Sequence, residues 1–259
     1  MEQGKTVEDS LQDCKINIAG INILVKNAHN RLLSYCADYC IDFDEPVLTV
    51  TASADKRDTV NDEVLGRDFY EENNISIYYN SGEAELVSVL QEMADRMPLL
   101  NIFLMHGAAI AKDGQAYLFL ALSGTGKTTR LRRWIEMYPD SIVINGDKPF
   151  IKVTESDVYV CGSPWCGKEG WNTNTMVPVS SFFLLERADG DERSTIEEIS
   201  IGEAFPRLLQ ESHRPNDSFA MRKTILLLKS LDGKVKFYRF RSKPTKEAIQ
   251  LAYETARLR

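Results

Sequence analysis

A short glycine-rich segment between an apolar run and a run with helical spacing constrains the fold of this chain more than any other feature. The segment is Ala121-Leu122-Ser123-Gly124-Thr125-Gly126-Lys127-Thr128, and the apolar residues 116–120 precede it. A strand, a glycine loop and a helix in this order are typical of a phosphate-binding loop with the pattern G-x-x-x-x-G-K-[ST]. Alanine replaces the first glycine here, and the rest of the pattern is intact.

Each residue type in this loop has a physical reason. Glycine permits the positive φ values that let successive backbone N–H groups converge on phosphate oxygens, and the helix N-terminus adds its positive dipole end. Lys127 supplies charge for the β- and γ-phosphates, and Thr128 offers a hydroxyl to Mg²⁺. A glycine-rich turn without a ligand is the alternative. We predict that a nucleoside triphosphate, expected to be ATP, is bound by Ser123, Gly124, Thr125, Gly126, Lys127, Thr128 and Thr129.

A candidate metal ligand follows the next predicted strand. The apolar run 141–145 leads into Asn145-Gly146-Asp147-Lys148-Pro149, in which Asp147 is the single carboxylate. Acidic residues at the end of a neighbouring strand commonly hold the Mg²⁺ of a bound nucleotide. We therefore predict that Asp147 and Thr128 are the metal ligands. The alternative for Asp147 is an ordinary turn aspartate.

Composition excludes several classes of protein. The chain has 259 residues, 43% of them hydrophobic, and a formal net charge of -7. This balance argues against a nucleic-acid binder. Five cysteines without a C-x-x-C pair are typical of reduced thiols in a cytosolic protein. The apolar run 97–111 is too short to span a bilayer, and no signal core opens the chain. We predict a cytoplasmic protein that contacts neither membrane nor nucleic acid.

Periodicity along the chain predicts two regions. Alternating apolar residues at 16–25, 47–51 and 75–79 indicate strands in the first hundred residues. From residue 98 onward, Asp113-Gly114 marks a hairpin that leads into the glycine loop, and helices and strands follow it. We predict a β-rich N-terminal lobe over 1–97, packed on a phosphate-loop kinase core over 98–259.

Three further segments resemble a known family. His106-Gly107 precedes the loop by one hairpin, Asn145-Gly146-Asp147-Lys148-Pro149 follows it, and Gly162-Ser163-Pro164-Trp165-Cys166-Gly167-Lys168 comes next. Together with the loop, this arrangement resembles HPr kinase/phosphorylase and its bacterial relatives over residues 98 to 190. The loop itself is also similar to that of ATP-dependent phosphoenolpyruvate carboxykinase, although this chain is about half the length that such an enzyme requires.

The resemblance implies a fold and a set of roles. The fold would be a mixed α/β sheet wrapped by helices, with the phosphate loop inside it and a small β-rich extension before it. His106 would lie near the transferred phosphoryl group and join Lys127 and Asp147 as the catalytic residues; without the resemblance, a structural histidine is the simpler interpretation. Lys168 and Arg214 are weaker candidates for contacts with substrate or phosphate, and a solvated loop lysine is the alternative for Lys168.

The implied activity is a Mg²⁺- and ATP-dependent kinase. Its acceptor would be a hydroxyl, expected to be serine, of a small protein, peptide or metabolite, and the chain would be able to form a homo-oligomer. A phosphorylase or phosphatase running the reverse transfer and a nucleotide sensor without turnover are the alternatives. The family loop carries two adjacent aspartates, and Gly146 replaces the first. Either Asp147 performs both functions, or Glu169 substitutes, or catalysis is impaired, and we expect aspartate at position 146 to increase turnover.

Overall fold

The computed structural model describes residues 11–52, 81–121, 126–188 and 193–257. The chain divides into two compact units, Met1–Met93 and Ala94–Arg259. The predicted strand at 75–79 and most of the glycine loop, residues 122–125, lie outside the described residues.

The described part of the first unit is built on a small sheet. Strands β1 (Gln12–Ile18) and β2 (Ile21–Ala28) form an antiparallel pair, and β3 (Leu48–Thr51) joins β2 in parallel. The predicted strands at 16–25 and 47–51 are thereby confirmed. A short helix, α1 (Asn30–Tyr35), follows β2, and the longer α2 (Ser81–Arg96) leads into the second unit.

The second unit contains a mixed sheet, so the predicted mixed α/β class is confirmed. Its described strands run in the spatial order β4-β8-β9-β10-β6-β5-β7, with β12 beside β10 and β11 beside β12. The strands are β4 (Ile102–Leu104), β5 (Ala108–Lys112), β6 (Gln115–Leu120), β7 (Ile142–Asn145), β8 (Phe150–Val153), β9 (Val158–Cys161), β10 (Met176–Glu186), β11 (Thr195–Ile199) and β12 (Lys236–Arg241).

Helices cover both faces of this sheet. The helices are α3 (Lys127–Met137), α4 (Ile201–Glu211), α5 (Ser218–Lys229) and α6 (Lys246–Arg257). Leu118 and Leu120 of β6 share a core with buried residues of α4 and α5, whereas Tyr117 and Phe119 share one with α3 and α6. Because both faces are covered, β6 has a nearly continuous apolar sequence instead of an alternating one.

The directions of the strands bring distant parts of the chain to one edge of the sheet. Strands β6, β10 and β12 are parallel to one another. Strand β5 is antiparallel to both β6 and β7, so β7 runs in the same direction as β6. The carboxyl ends of these four strands and the amino end of β5 therefore share an edge, which we call the carboxyl edge.

The predicted hairpin, the start of α3 and the strand before Asp147 are confirmed. The hairpin turn at Asp113-Gly114 has positive φ at both residues, as a two-residue turn of this kind requires. Along the part of the chain that the structure describes, no helix is both long and apolar enough to cross a membrane.

Candidate functional site

Helix α3 begins at the carboxyl edge immediately after the glycine loop. Its N-cap is Gly126, whose φ of 90° lies in the left-handed region that glycine tolerates best. The Lys127 ammonium donates a hydrogen bond of 2.7 Å to the carbonyl oxygen of Ala121. Ala121 is fully buried and its φ is not positive, so the backbone does not need the glycine that the loop pattern has there. Thr128 is half-buried and Thr129 is exposed.

A buried asparagine shapes the turn that presents Asp147. The Asn145 side-chain oxygen accepts hydrogen bonds from the backbone N–H groups of Asp147 (2.8 Å) and Lys148 (2.7 Å). Its amide nitrogen donates to the backbone oxygen of Ser163 at 2.9 Å. Each such bond contributes about 1 kcal/mol net, and an unpaired buried amide would cost more. Asn145 therefore fixes the direction in which the chain leaves β7.

His106 lies between two carboxylates at the same edge. Its Nε2 is 3.2 Å from Asp147 Oδ1, and its Nδ1 is 3.1 Å from Glu211 Oε2. The backbone fixes this arrangement, because the N–H of His106 donates to the carbonyl of Glu211 and the N–H of Gly107 donates to the carbonyl of Asp147. The loop between β4 and β5 is thus tied to the end of α4 on one side and to the end of β7 on the other.

The charges of these groups influence one another. Burial alone would raise the pKa of Asp147, but the hydrogen bond from His106 and the charge of Lys148, whose Nζ is 3.0 Å from Oδ2, hold that pKa well below its ordinary value. Burial lowers the pKa of His106, but its hydrogen bonds to Asp147 and Glu211 outweigh burial and raise the pKa. Both side chains are thereby favoured in their charged forms.

Lys127 belongs to the same cluster. Burial lowers its pKa, while the negative charges of Glu211 and Asp147 act in the opposite direction. The charge of Lys127 in turn lowers the pKa of His106. The structure therefore brings together His106, Lys127 and Asp147, which the sequence separates by up to 41 positions. A site with this charge pattern at a helix N-terminus can receive a polyphosphate and its accompanying cation.

Gly146 occupies a tight position in this turn. A Cβ atom there would lie 2.9 Å from the carbonyl oxygen of Cys166 and 3.5 Å from that of Trp171. Its φ is not positive, so space rather than backbone conformation demands glycine. Aspartate at position 146 would meet these backbone atoms, so the expected gain in turnover stays a prediction that requires the neighbouring backbone to move.

The segment 162–168 packs against Asp147. A Cβ at Gly167 would lie 3.2 Å from the Cβ of Asp147, which places the next residue, Lys168, beside the cluster with an exposed side chain. Glu169 was considered above as a replacement for the carboxylate missing at position 146. Its Oε2 lies 3.6 Å from a guanidinium nitrogen of Arg132 in α3. Arg214 is exposed and follows the end of α4 by three residues.

No family model matches the chain. No curated protein matches it either. Among solved structures, the chain is similar to the Hpr(Ser) kinase/phosphatase from Coxiella burnetii, with 11% sequence identity and a TM-score of 0.34. That match covers 60% of this chain and 96% of the other.

Sequence reasoning missed one buried carboxylate of the cluster. Glu211 is only 5% exposed and also contacts Arg207 at 3.3 Å. It lies on the same face of α4 as the buried residues Ala204 and Leu208, where helical spacing calls for an apolar side chain. A charged residue at an apolar position of a helix was the sequence feature that could have identified it.

Proposed function

We propose that this protein is a Mg²⁺- and ATP-dependent kinase that transfers phosphate to a hydroxyl group, expected to be serine, of a small protein, peptide or metabolite. One observation carries the proposal. Lys127, at the start of the helix after the glycine loop, shares a charged cluster with His106 and Asp147. Phosphoryl transfer needs mainly positioning and charge neutralisation, and these side chains supply both.

Lys127 would bind the β- and γ-phosphates. Its ammonium now donates to a neutral carbonyl, that of Ala121. A phosphate oxygen is a stronger acceptor because it is charged, so the lysine gains energy by turning toward a bound triphosphate. Together with the N-terminal amides of α3 and residues 123–126 of the loop, it would hold the phosphate chain.

The residues present fit a magnesium ion. Asp147 and Thr128 offer oxygen ligands, which Mg²⁺ prefers, and the lowered pKa of Asp147 keeps that carboxylate ionised. Within the described ranges no three His, Cys, Asp or Glu side chains form a metal cage. Sites for Mg²⁺ in nucleotide-binding proteins are usually completed by substrate phosphates and water. The ion would neutralise charge on the phosphates. Lys148 and His106 each engage one oxygen of Asp147, so the ion would share this carboxylate with two cationic side chains.

His106 would orient and stabilise the phosphoryl group. Glu211 holds Nδ1, so the ring presents Nε2 toward Asp147 and the carboxyl edge. A donor fixed in this way stabilises the charge of the group in transfer without reorganising during the reaction. Lys168 and Arg214 are further candidates for contacts with the acceptor or its phosphate, since their side chains are exposed.

A nucleotide sensor without turnover is the second candidate. The tight packing around Gly146 favours it, because the turn has no room for the second carboxylate that the resembled family carries. A phosphorylase or phosphatase would use the same groups in the reverse direction.

Transfer of label from [γ-³²P]ATP to a library of serine-containing peptides, with Mg²⁺, separates these candidates. We expect the natural protein to label peptide. At saturating ATP, His106→Ala should label it at least about tenfold more slowly. His29→Ala, in the first unit, is the matched control and should label at the natural rate. If the protein binds Mg·ATP tightly but forms no product of any kind, the proposed kinase activity is contradicted and the nucleotide sensor is the remaining candidate.

A further inference from the structure

The first unit holds a cluster of thiols that the proposed kinase activity does not use. The Sγ atoms of Cys14 and Cys40 lie 4.0 Å apart, although 26 positions separate the two residues in the sequence. Cys36 is the third member, and burial raises its thiol pKa, with a further contribution from Cys14 and Cys40. All five cysteines of the chain are free. The folded protein therefore contains two free thiols in close contact.

Backbone pairing between β1 and the segment after α1 brings the two sulfurs together. Ile16 of β1 forms an antiparallel bridge with Cys40, and the N–H of Ile41 donates to the carbonyl of Lys15 at 3.2 Å. Cys14 lies two residues before Ile16, and the alternation of side chains along a strand places both on the same, buried face. The two thiols are thus neighbours because of hydrogen bonds in which neither sulfur takes part.

The two thiols differ in their access to solvent. Cys14 is only 2% exposed, and burial, together with the neighbouring sulfur of Cys40, raises its thiol pKa to about 12. Cys40 is exposed. A dissolved oxidant reacts with an accessible thiolate, so Cys40 is the thiol that reacts first. Cys14 is the buried thiol that can then complete a bond to it.

A metal ion is the other partner that clustered thiols commonly bind. A structural zinc site needs four ligands around one point. Among the residues that the structure describes, no three His, Cys, Asp or Glu side chains have a suitable arrangement. A disulfide needs only two sulfurs, at a distance of about 2.05 Å. Cys14 and Cys40 must approach each other by about 2 Å, which rotation about their Cα–Cβ bonds can supply.

We propose that Cys14 and Cys40 form a redox modification site, which a small-molecule disulfide such as glutathione disulfide reversibly oxidises to a protein disulfide. The Cys40 thiolate attacks one sulfur of the oxidant, whose S–S bond breaks and releases one small thiolate. Cys14 loses its proton, attacks the Cys40 sulfur of the mixed disulfide and releases the second small thiolate. The two protein thiols thereby give up two protons and two electrons, which the two released small thiols take up.

The new bond would tie β1 to the segment that follows α1. Because 26 positions separate the two cysteines, the bond restricts a long stretch of the unfolded chain and stabilises the folded state. The site lies in the first unit and shares no residue with the cluster around His106. Its success or failure is therefore independent of the proposed kinase activity.

Equilibration of the unmodified protein with reduced and oxidised glutathione tests the site directly. After free thiols are blocked with iodoacetamide and the protein is cut with trypsin, we expect a cross-link between peptides 6–15 and 32–56. Fragmentation should place it at Cys14 and Cys40. We expect the equilibrium constant to be at least about tenfold larger in the folded protein than in guanidinium, because folding holds the sulfurs in contact. No cross-link, a cross-link to Cys36 instead, or equal constants overturns the site.

Three variants test which thiols react. Cys40→Ser should abolish the cross-link, and Cys36→Ala, which removes the third thiol of the cluster, should keep it. Cys161→Ala, a buried cysteine of β9, is the matched control and should also keep it. We expect oxidation to raise the melting temperature of the natural protein and of Cys161→Ala, but not that of Cys40→Ser. A cross-link that lowers the melting temperature of the natural protein would show that the fold does not accommodate this bond, and would overturn the proposal.

Discussion

At the scale of single residues, Asp147 shows how the protein keeps a partly buried carboxylate charged. Burial opposes the charge, and two neighbouring cations, His106 and Lys148, outweigh burial. The result is a lowered pKa in the folded state and an anion available to a metal ion. The same environment makes Asp147 a weak proton acceptor, because a low pKa means low affinity for a proton.

A stability measurement as a function of pH tests this environment. Because the folded-state pKa of Asp147 lies below its ordinary value of 3.8, its charge stabilises the fold above that pH. This contribution is lost as the pH falls from 3.8 through the folded pKa. We expect Asp147→Asn to lower the free energy of unfolding at pH 6 and to have a clearly smaller effect at pH 2, which is closer to the folded pKa. A loss of equal size at both pH values would show that Asp147 does not contribute through its charge.

At the scale of elements, the turn after β7 and the segment 162–168 form one packed unit. A Cβ atom at Gly146 would lie only 2.9 Å from the carbonyl oxygen of Cys166, so the two segments pack closely there. The N–H of Gly146 also donates to the carbonyl of Trp171 at 2.9 Å. This packing gives a physical reason for glycine where the resembled family has aspartate.

Two glycine substitutions test this packing. Gly146→Ala should destabilise the protein by about 1–3 kcal/mol, because its Cβ has no space. Gly202→Ala, in the first turn of α4, is the control, since the nearest atom to its Cβ would be Ser200 Oγ at 3.8 Å. Helical Gly→Ala substitutions of this kind tend to stabilise. Equal melting temperatures for the two variants would show that the segment 162–168 can move to make room for a side chain. That result would support the predicted increase in turnover from Gly146→Asp.

The elements around the loop were predictable because their local patterns are strong. The Asp113-Gly114 turn, the apolar run 116–120 and the helix starting at Lys127 all follow from local chemistry. Strands β4, β8 and β11 were missed: β4 and β8 have only three and four residues, and β11 alternates weakly at the border of the sheet. Short strands depend on tertiary pairing more than on their own sequence.

At the scale of the whole molecule, the candidate site depends on strand order, which sequence patterns do not reveal. The sequence identified His106, Lys127 and Asp147 separately and predicted the hairpin of β5 and β6, but it did not show that β7 pairs with β5 on the other side of that hairpin. Glu211 was missed because it comes from the far end of α4, and it meets His106 only once the sheet has formed. Cooperation between distant segments therefore determines the geometry of the cluster, while residue types determine its chemistry.

Calorimetric binding of Mg·ATP to the natural protein and to Lys127→Ala tests most directly whether this edge of the sheet is a nucleotide site. Lys229→Ala, an exposed lysine at the end of α5, is the matched control. We predict that Lys127→Ala weakens ATP binding at least about tenfold, or about 1.4 kcal/mol, and that the control binds like the natural protein. Equal ATP affinity for the natural protein and Lys127→Ala, with both variants folded, would contradict a nucleotide site at the glycine loop.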